Sequence, residues 1–290
     1  MLSLTRRDLM IAVAAASVDA GLADAASRNP FAALEAKYGG RIGVAGLDAG
    51  SGAHVLHRAD ERFPMCSTFK LIAVSAVLTR AARDSTLLAR VIPYAASDLV
   101  PYSPITRHHV GQGMRVSALC AAALQYSDNT AANLILRLIG GPAGATAFAR
   151  SVGDTSFRLD RWETALNDAV PGDPRDTSTP AAMMGDLHRA LLGDLLGVPE
   201  RRQLAAWMRG CTTGGKRIRA AVPGGWDVAD KTGSGDYGTA NDIAVIWPPG
   251  KAPIVLAVYF TEEKKGAPYR DDVVAASARA ALAMLGHAAG

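Results

Sequence analysis

Three cysteines in 290 residues, Cys66, Cys120 and Cys211, are too few and too scattered for a disulfide framework or a cysteine metal site. Their odd number leaves at least one without an intrachain partner. Cys66 and Cys120 each fall in an apolar run and read as small core residues, whereas Cys211 has no such context and stays unassigned. The histidines lack metal-ligand spacing, so no metal or other cofactor is expected. No run of Lys and Arg with interleaved aromatics occurs, and 31 basic residues are interspersed with 27 acidic ones. The net charge of +4 therefore does not point to nucleic acid. There is no internal repeat and no low-complexity segment.

What the chain does have is a hydrophobic fraction of 49% against 20% charged residues, a composition of folded soluble proteins. Its length suffices for one large domain or two lobes around a sizeable core. At the N-terminus, Arg6-Arg7 precedes the apolar stretch Leu9 to Val18, and Ala23-Asp24-Ala25 is a small-residue cleavage site. Residues 1–25 thus read as a cleavable export signal of the twin-arginine type. The apolar stretch is far short of the roughly 20 residues that span a bilayer, so the mature chain is expected to lack a membrane segment and to reside in the periplasm or outside the cell. Removal of the signal takes two Arg and three Asp, moving the net charge from +4 to +5.

Along the mature chain, residues 31–38 have helical spacing stopped by Gly39-Gly40. Residues 41–47 and 54–57 alternate as two strands joined by a turn. From Ser67 to about Met208 the pattern is helical, broken around 93–104, at Gly140-Gly141-Pro142, and from Gly153 to Thr179. Strand signals return at 226–232, 239–247 and 254–260, and residues 271–285 form a last amphipathic helix. Strands at both ends around a helical block imply an α/β (α+β) fold: an antiparallel sheet built from both chain ends and flanked by helices, with an inserted all-α lobe. The α/β lobe is expected over 26–60 and 212–290, the all-α lobe over 61–211. A cleft between lobes is the expected place for a site.

Four stretches carry chemistry. In the apolar run Phe63 to Val74, Ser67 and Lys70 are three apart and share a helix face. Pro64 suggests that the helix begins near Ser67, where unpaired backbone N–H groups make a donor-rich environment. A buried Lys70 must lower its pKa or find a partner, and a Ser–Lys pair is a candidate activated nucleophile. Read alone, the stretch fits equally a Ser cap and a Lys reaching for water. Ser127-Asp128-Asn129 between two helices is by default a turn and N-cap. Glu163 and Asn167 sit in a structureless span of a length that is usually functional, with Arg161 and Asp176 placed to clamp it and Glu163 a candidate general base. Thr179-Pro180 is a good N-cap for the next helix. In Asp230-Lys231-Thr232-Gly233-Ser234-Gly235, the glycines permit close backbone approach, and Lys231, Thr232 and Ser234 offer a cation and hydroxyls to a carboxylate.

Together and in this order, Ser67-Thr68-Phe69-Lys70, Ser127-Asp128-Asn129, Glu163 with Asn167, and Lys231-Thr232-Gly233 resemble the active-site set of class A serine β-lactamases. The resemblance covers essentially the whole mature chain. It implies a serine β-lactamase/DD-peptidase-like fold and hydrolysis of the β-lactam amide of penicillins and cephalosporins through an acyl-enzyme. By that resemblance Ser67 is the nucleophile, Lys70 or Glu163 its base, Ser127 the proton donor to the leaving nitrogen, and Glu163 with Asn167 the holder of the deacylating water. Tyr102 would line the cleft wall, Asn129 would bind the substrate amide, and Lys231, Thr232 and Ser234 the carboxylate. Where some members carry an arginine this chain has Ala240, and Arg217 resembles the substitute used by others. Ser234 and Asp236 resemble the cephalosporin-hydrolysing branches. Gly235 excludes the bridge that carbapenem-hydrolysing members often make from the cysteine before the nucleophile, so carbapenems are expected to be poor substrates. A disulfide from the helix of Cys120 is also missing, since Val74 occupies the partner position. The alternative is a penicillin-binding DD-peptidase acting on cell-wall peptides, which has no use for Glu163. A monomer with a small-molecule substrate is expected.

Overall fold

The computed structural model describes residues 29–287; the signal assigned to residues 1–25 lies outside them. Eight α-helices and nine strands are present among the described residues. Asn29 opens α1 (Pro30–Tyr38) by accepting from the Phe31 and Ala32 N–H groups at 3.0 and 3.3 Å, as an N-cap amide does. β1 (Arg41–Asp48) and β2 (His54–His57) form the first hairpin, while β7 (Asp227–Ser234), β8 (Ala240–Trp247) and β9 (Ile254–Thr261) form the closing meander. β9 inserts beside β1, giving one antiparallel sheet in the order β2-β1-β9-β8-β7. The two chain ends therefore build a single sheet, as the strand pattern implies.

Every residue of β9 is buried because both sheet faces are covered. Val255, Ala257 and Tyr259 join one core, and Ile254, Leu256, Val258 and Phe260 the other, the period-2 division of a strand. The second core also takes in Phe31 of α1 and Val273, Val274 and Leu282 of the last helix, α8 (Asp271–Met284). The first core continues into the helices inserted between the sheet halves: α2 (Lys70–Ala81), α3 (Val116–Gln125), α4 (Asn129–Ile139), α5 (Gly141–Ser151), α6 (Pro180–Leu191) and α7 (Val198–Arg209). Residues 70–78 of α2 are all buried, so this apolar-all-round helix runs through the middle of the helical layer.

Gly140 ends α4 in the left-handed region at φ 97°, a conformation cheap only without a Cβ. Thr179 caps α6, its hydroxyl accepting from Ala182 N at 3.2 Å with Pro180 in the first turn. The stretch 61–211 also holds strand pairs: β3 (Phe63–Pro64) with β6 (Thr177–Ser178), and β4 (Val91–Ile92) with β5 (Met114–Arg115). The first pair matters for the site, because it joins the approach to Ser67 to the end of the loop carrying Glu163. All three cysteines are free and buried.

Candidate active site

The segment carrying Ser67 is a single 3-10 turn, Cys66–Phe69, that runs directly into α2. Asn241 of β8 grips its approach by donating to Pro64 O and Met65 O at 2.8 and 3.2 Å. Met65 N donates to Asp176 O at 2.9 Å. Thr68 bonds Met65 O at 2.8 Å and the Tyr259 hydroxyl at 3.0 Å. On the other side β7 comes so near that a Cβ on Gly233 would lie 2.7 Å from Met65 O and 3.2 Å from Ser67 N. The glycine is what lets the two backbones meet.

Asp128 is the N-cap of α4, accepting from Ala131 N at 2.8 Å, so the turn-and-cap reading of Ser127-Asp128-Asn129 holds for its middle residue. Its second oxygen accepts from Ile105 N and Thr106 N at 2.9 Å each. This pins the 95–109 loop against the helix and carries Tyr102 to the mouth of the site, where it is 61% exposed.

The loop with Glu163 is tied at both ends. Arg161 Nε meets Asp176 Oδ2 at 2.6 Å, and the N–H groups of Asp160 and Arg161 donate to Asp176 Oδ1 at 2.8 and 2.9 Å. The expected clamp is thus present, extended by Arg161 to Asp168 at 2.7 Å. Asn133, one turn beyond Asn129 on α4, bonds Glu163 from both sides: its amide donates to Glu163 O and accepts from Glu163 N, each at 3.0 Å. Sequence reasoning missed Asn133, although its i+4 spacing from Asn129 marks a shared helix face.

These supports bring the predicted groups together. Ser67 Oγ donates to Glu163 Oε1 at 3.3 Å, and Lys70 Nζ lies 3.0 Å from the same oxygen. Lys70 also donates to Ser127 O at 2.8 Å, Ser127 Oγ at 3.4 Å and Asn129 Oδ1 at 2.7 Å. Among the described residues the hydrogen bond of Ser67 Oγ goes to Glu163 and not to Lys70, which spends its donors on four other oxygens. Asn167 Nδ2 donates to Glu163 Oε2 at 2.6 Å, leaving Asn167 Oδ1 buried without a partner. Lys231 Nζ donates to Ser127 Oγ at 2.9 Å and Thr232 O at 2.6 Å.

Burial lowers the pKa of Lys70 against the opposing pull of Glu163. Burial, helped by the Lys70 charge, brings Lys231 down to about 7.

Above these groups opens a cavity of about 460 Å³ lined by Ser67, Tyr102, Ser127, Asn129, Asn167, Arg217, Thr232 and Ser234. Lys70, Glu163 and Lys231 lie beneath it, all nearly inaccessible. All eleven predicted residues are thereby in the cavity wall or its underlayer. Three of the seven non-glycine residues with left-handed backbone among the described residues are here, namely Cys66, Tyr102 and Ser127, and such strain gathers at functional sites. A larger cavity of about 890 Å³ lies behind the Glu163 loop, where Arg41 and Arg58 both pair with Glu61.

Arg217 also lines the Ser67 cavity. Its guanidinium donates to Asp271 Oδ1 at 2.6 Å and to Gly233 O, Asn241 O and Ser234 Oγ at 2.7 Å each. It thus stands beside Ala240, the residue paired with Ser234 across β7 and β8, and supplies a cation there. Sequence reasoning also missed Asp271, Thr213 and Tyr269. Thr213 and Tyr269 line the cavity, yet both sit in irregular loops where no periodicity marks them.

Among the described residues no group of three or more His, Cys, Asp or Glu is placed to hold a metal ion. No described helix is long and apolar enough to cross a membrane.

A serine hydroxyl, two buried lysines and a loop carboxylate gathered at one cavity are the kinds of group that acyl transfer uses. The Beta-lactamase enzyme family matches residues 26–288. The chain is 56% identical over 259 residues to the carbapenem-hydrolysing β-lactamase KPC of Klebsiella oxytoca, covering 89% of this chain and 88% of that protein. It is 52% identical over 252 residues to β-lactamase CTX-M-8 of Citrobacter amalonaticus, covering 87% of each. The crystal structure of a β-lactamase from Desulfarculus baarsii superposes with a TM-score of 0.88 at 52% identity, over 90% of this chain and 98% of that one. The chain belongs to the β-lactamase enzyme family, as a class A serine β-lactamase.

Proposed function

We propose that this protein opens the β-lactam ring of penicillins and cephalosporins in two steps, acylating Ser67 and then hydrolysing the acyl-enzyme with a water held by Glu163 and Asn167. The observation that carries this is the sharing of Glu163 Oε1 by Ser67 Oγ at 3.3 Å and Lys70 Nζ at 3.0 Å. In the first step Ser67 Oγ bonds to the lactam carbonyl carbon and passes its proton to the Glu163 carboxylate, with Lys70 balancing the charge. The N–H groups of Ser67 and Ser234 serve as oxyanion donors.

Ser127 Oγ already accepts from both lysines, and an ammonium has no lone pair to take a proton in return. Its own hydrogen is therefore free for the lactam nitrogen as the C–N bond breaks. Lys70, which touches both groups, then gives a proton to Ser127 Oγ and takes the one held on Glu163, so that Ser127 is again a hydroxyl and Glu163 again a carboxylate. In the second step Glu163 takes a proton from water while the orphaned Asn167 Oδ1 accepts the other hydrogen. The water oxygen bonds to the acyl carbon, the bond from that carbon to Ser67 Oγ breaks, and Ser67 leaves with the proton that Glu163 took from the water.

Lys231, Thr232 and Ser234, with Arg217 behind, hold the substrate carboxylate, Asn129 the side-chain amide, and Tyr102 the cleft wall. A DD-peptidase would not need a carboxylate built so firmly into this loop. Carbapenems are poor substrates in this reading, because Cys66 is free and a Cβ at Gly235 would lie 2.6 Å from its Sγ and 2.7 Å from Asn167 O. Export rests on the twin-arginine pair and Ala23-Asp24-Ala25, and the enzyme works as a monomer.

Steady-state rates on benzylpenicillin, cephalothin, imipenem and a D-Ala-D-Ala peptide test this. The expected order is rapid turnover of the first two, slow turnover of imipenem, and none of the peptide. Equal efficiency on imipenem and cephalothin would overturn the substrate range, a point sharpened by the relative named for carbapenem hydrolysis. Peptide cleavage without penicillin turnover would overturn the reaction.

A further inference from the structure

The thiol that sequence reasoning leaves unassigned, Cys211, lies at the inner end of a hydrogen-bonded row leading into the cavity. Cys211 Sγ is 3.4 Å from Thr213 Oγ1, and Thr213 Oγ1 is 2.6 Å from Thr232 Oγ1. Thr213 and Thr232 both line the cavity, whereas Cys211 is buried behind them. The row is held from two sides. Cys211 N donates to Met208 O at 3.1 Å at the end of α7, and Thr212 donates through both N and Oγ1 to Gln125 O at 2.9 Å. Below, the 211–214 turn wraps the buried Asp230 so closely that a Cβ on Gly214 would fall 1.8 Å from Asp230 Oδ2, which fixes the path of the turn.

The direction of the row matters. A hydroxyl has one hydrogen, so the Thr232 hydroxyl offers that hydrogen to an anion in the cavity only if it is not spent on Thr213. That holds when Thr213 donates to Thr232, and Thr213 is then left to accept from Cys211. Burial and the nearby Asp230 carboxylate raise the Cys211 pKa to about 11, so at neutral pH the sulfur carries the proton that this direction needs.

We propose that Cys211 is a positioning residue for substrate binding: its S–H donates to Thr213, Thr213 donates to Thr232, and Thr232 is thereby left to donate to the β-lactam carboxylate. No bond is made or broken; the row only orients hydrogens. This rests on the carboxylate-binding role given to Thr232 above.

The test is a comparison of wild type, Cys211→Val, Cys211→Ser, Thr213→Val and the Cys211→Val/Thr213→Val double variant on benzylpenicillin and its methyl ester. Cys211→Val should raise KM for the acid about 3- to 10-fold, the size of one lost neutral hydrogen bond, with kcat within twofold. Cys211→Ser should restore it, the ester should show no difference between wild type and Cys211→Val, and the double variant should match Thr213→Val alone, because the thiol acts only through that hydroxyl. Cys120→Ala, which leaves a cavity in the core without removing a member of this row, should lower the melting temperature without moving KM. A KM for Cys211→Val within twofold of wild type, an equal rise on the ester, or additive effects in the double variant would each overturn the inference. If Cys211→Val fails to fold, Cys211→Ala takes its place with the same expectations. Absence of penicillin hydrolysis by the wild type would instead overturn the reading beneath it.

Discussion

Among the described residues Lys231 has no carboxylate within salt-bridge distance, and it shares its hydroxyl partner with a second ammonium. Its depressed pKa, about 7, gives the site a pH limit of definite sign. A lysine is charged below its pKa, so carboxylate binding is complete below about pH 7 and weakens as the pH rises through it. KM for a penicillin should increase between pH 7 and 9, and Lys231→Arg, whose guanidinium stays charged, should flatten that limb. A KM independent of pH over this range would show that Lys231 stays charged in the free enzyme. Residues whose chemistry announces itself in a short pattern, such as Ser67, Lys70, Ser127 and Lys231, were legible in the sequence. Asn133, Thr213 and Asp271 were not, because each acts on a neighbour that only the folded chain supplies. Asp271 is the sharpest case: it lies 54 positions from the Arg217 guanidinium it holds.

At the scale of elements, the loop carrying Glu163 has little regular structure of its own beyond a 3-10 turn at Ala165–Asn167, so its shape comes from the tethers at Asp176 and Asn133. Arg161→Ala leaves the buried Asp176 without its charged partner. That loss should cost about 3 kcal/mol of stability and slow release of the acyl group more than its formation. Thermal melting and single-turnover kinetics separate the two effects, and an unchanged melting temperature would show the clamp to be dispensable. The strands and most helices were readable from alternation and period, including the cap at Thr179. The breaks were less so: the break expected over 93–104 runs in fact from the end of α2 to the start of α3, holding only 3-10 turns and the short β4–β5 pair, since Asp128 and Thr106 stabilise it through contacts with no local signature.

For the whole molecule, the join between the loop and the helical layer contains a buried acid pair. Asp154 opens the loop by accepting from Ser156 N and Phe157 N at 2.6 and 3.0 Å. Asp186 on α6 is raised to about 8 by burial and by the neighbouring Asp154, against the pull of Arg189. The folded state therefore keeps a proton that the unfolded chain releases near pH 4, and this group's contribution to stability falls as the pH rises from about 4 to 8, by at most about 1.4 kcal/mol per unit. Asp186→Asn should gain on the wild type steadily across that window in thermal melts; parallel curves would show that the proton is not held. The architecture from both chain ends could be read from strand placement, whereas this proton could not, because an aspartate in an amphipathic helix gives no hint that it faces another acid.

In the proposed mechanism Glu163 is the residue that frees the enzyme from its acyl adduct. Mass spectrometry of Glu163→Gln, quenched at intervals after mixing with benzylpenicillin, tests it most directly. The expected result is a protein heavier by one intact penicillin, persisting while the wild type returns to its starting mass within the first time point. A variant that shows no adduct and hydrolyses penicillin at the wild-type rate would contradict it.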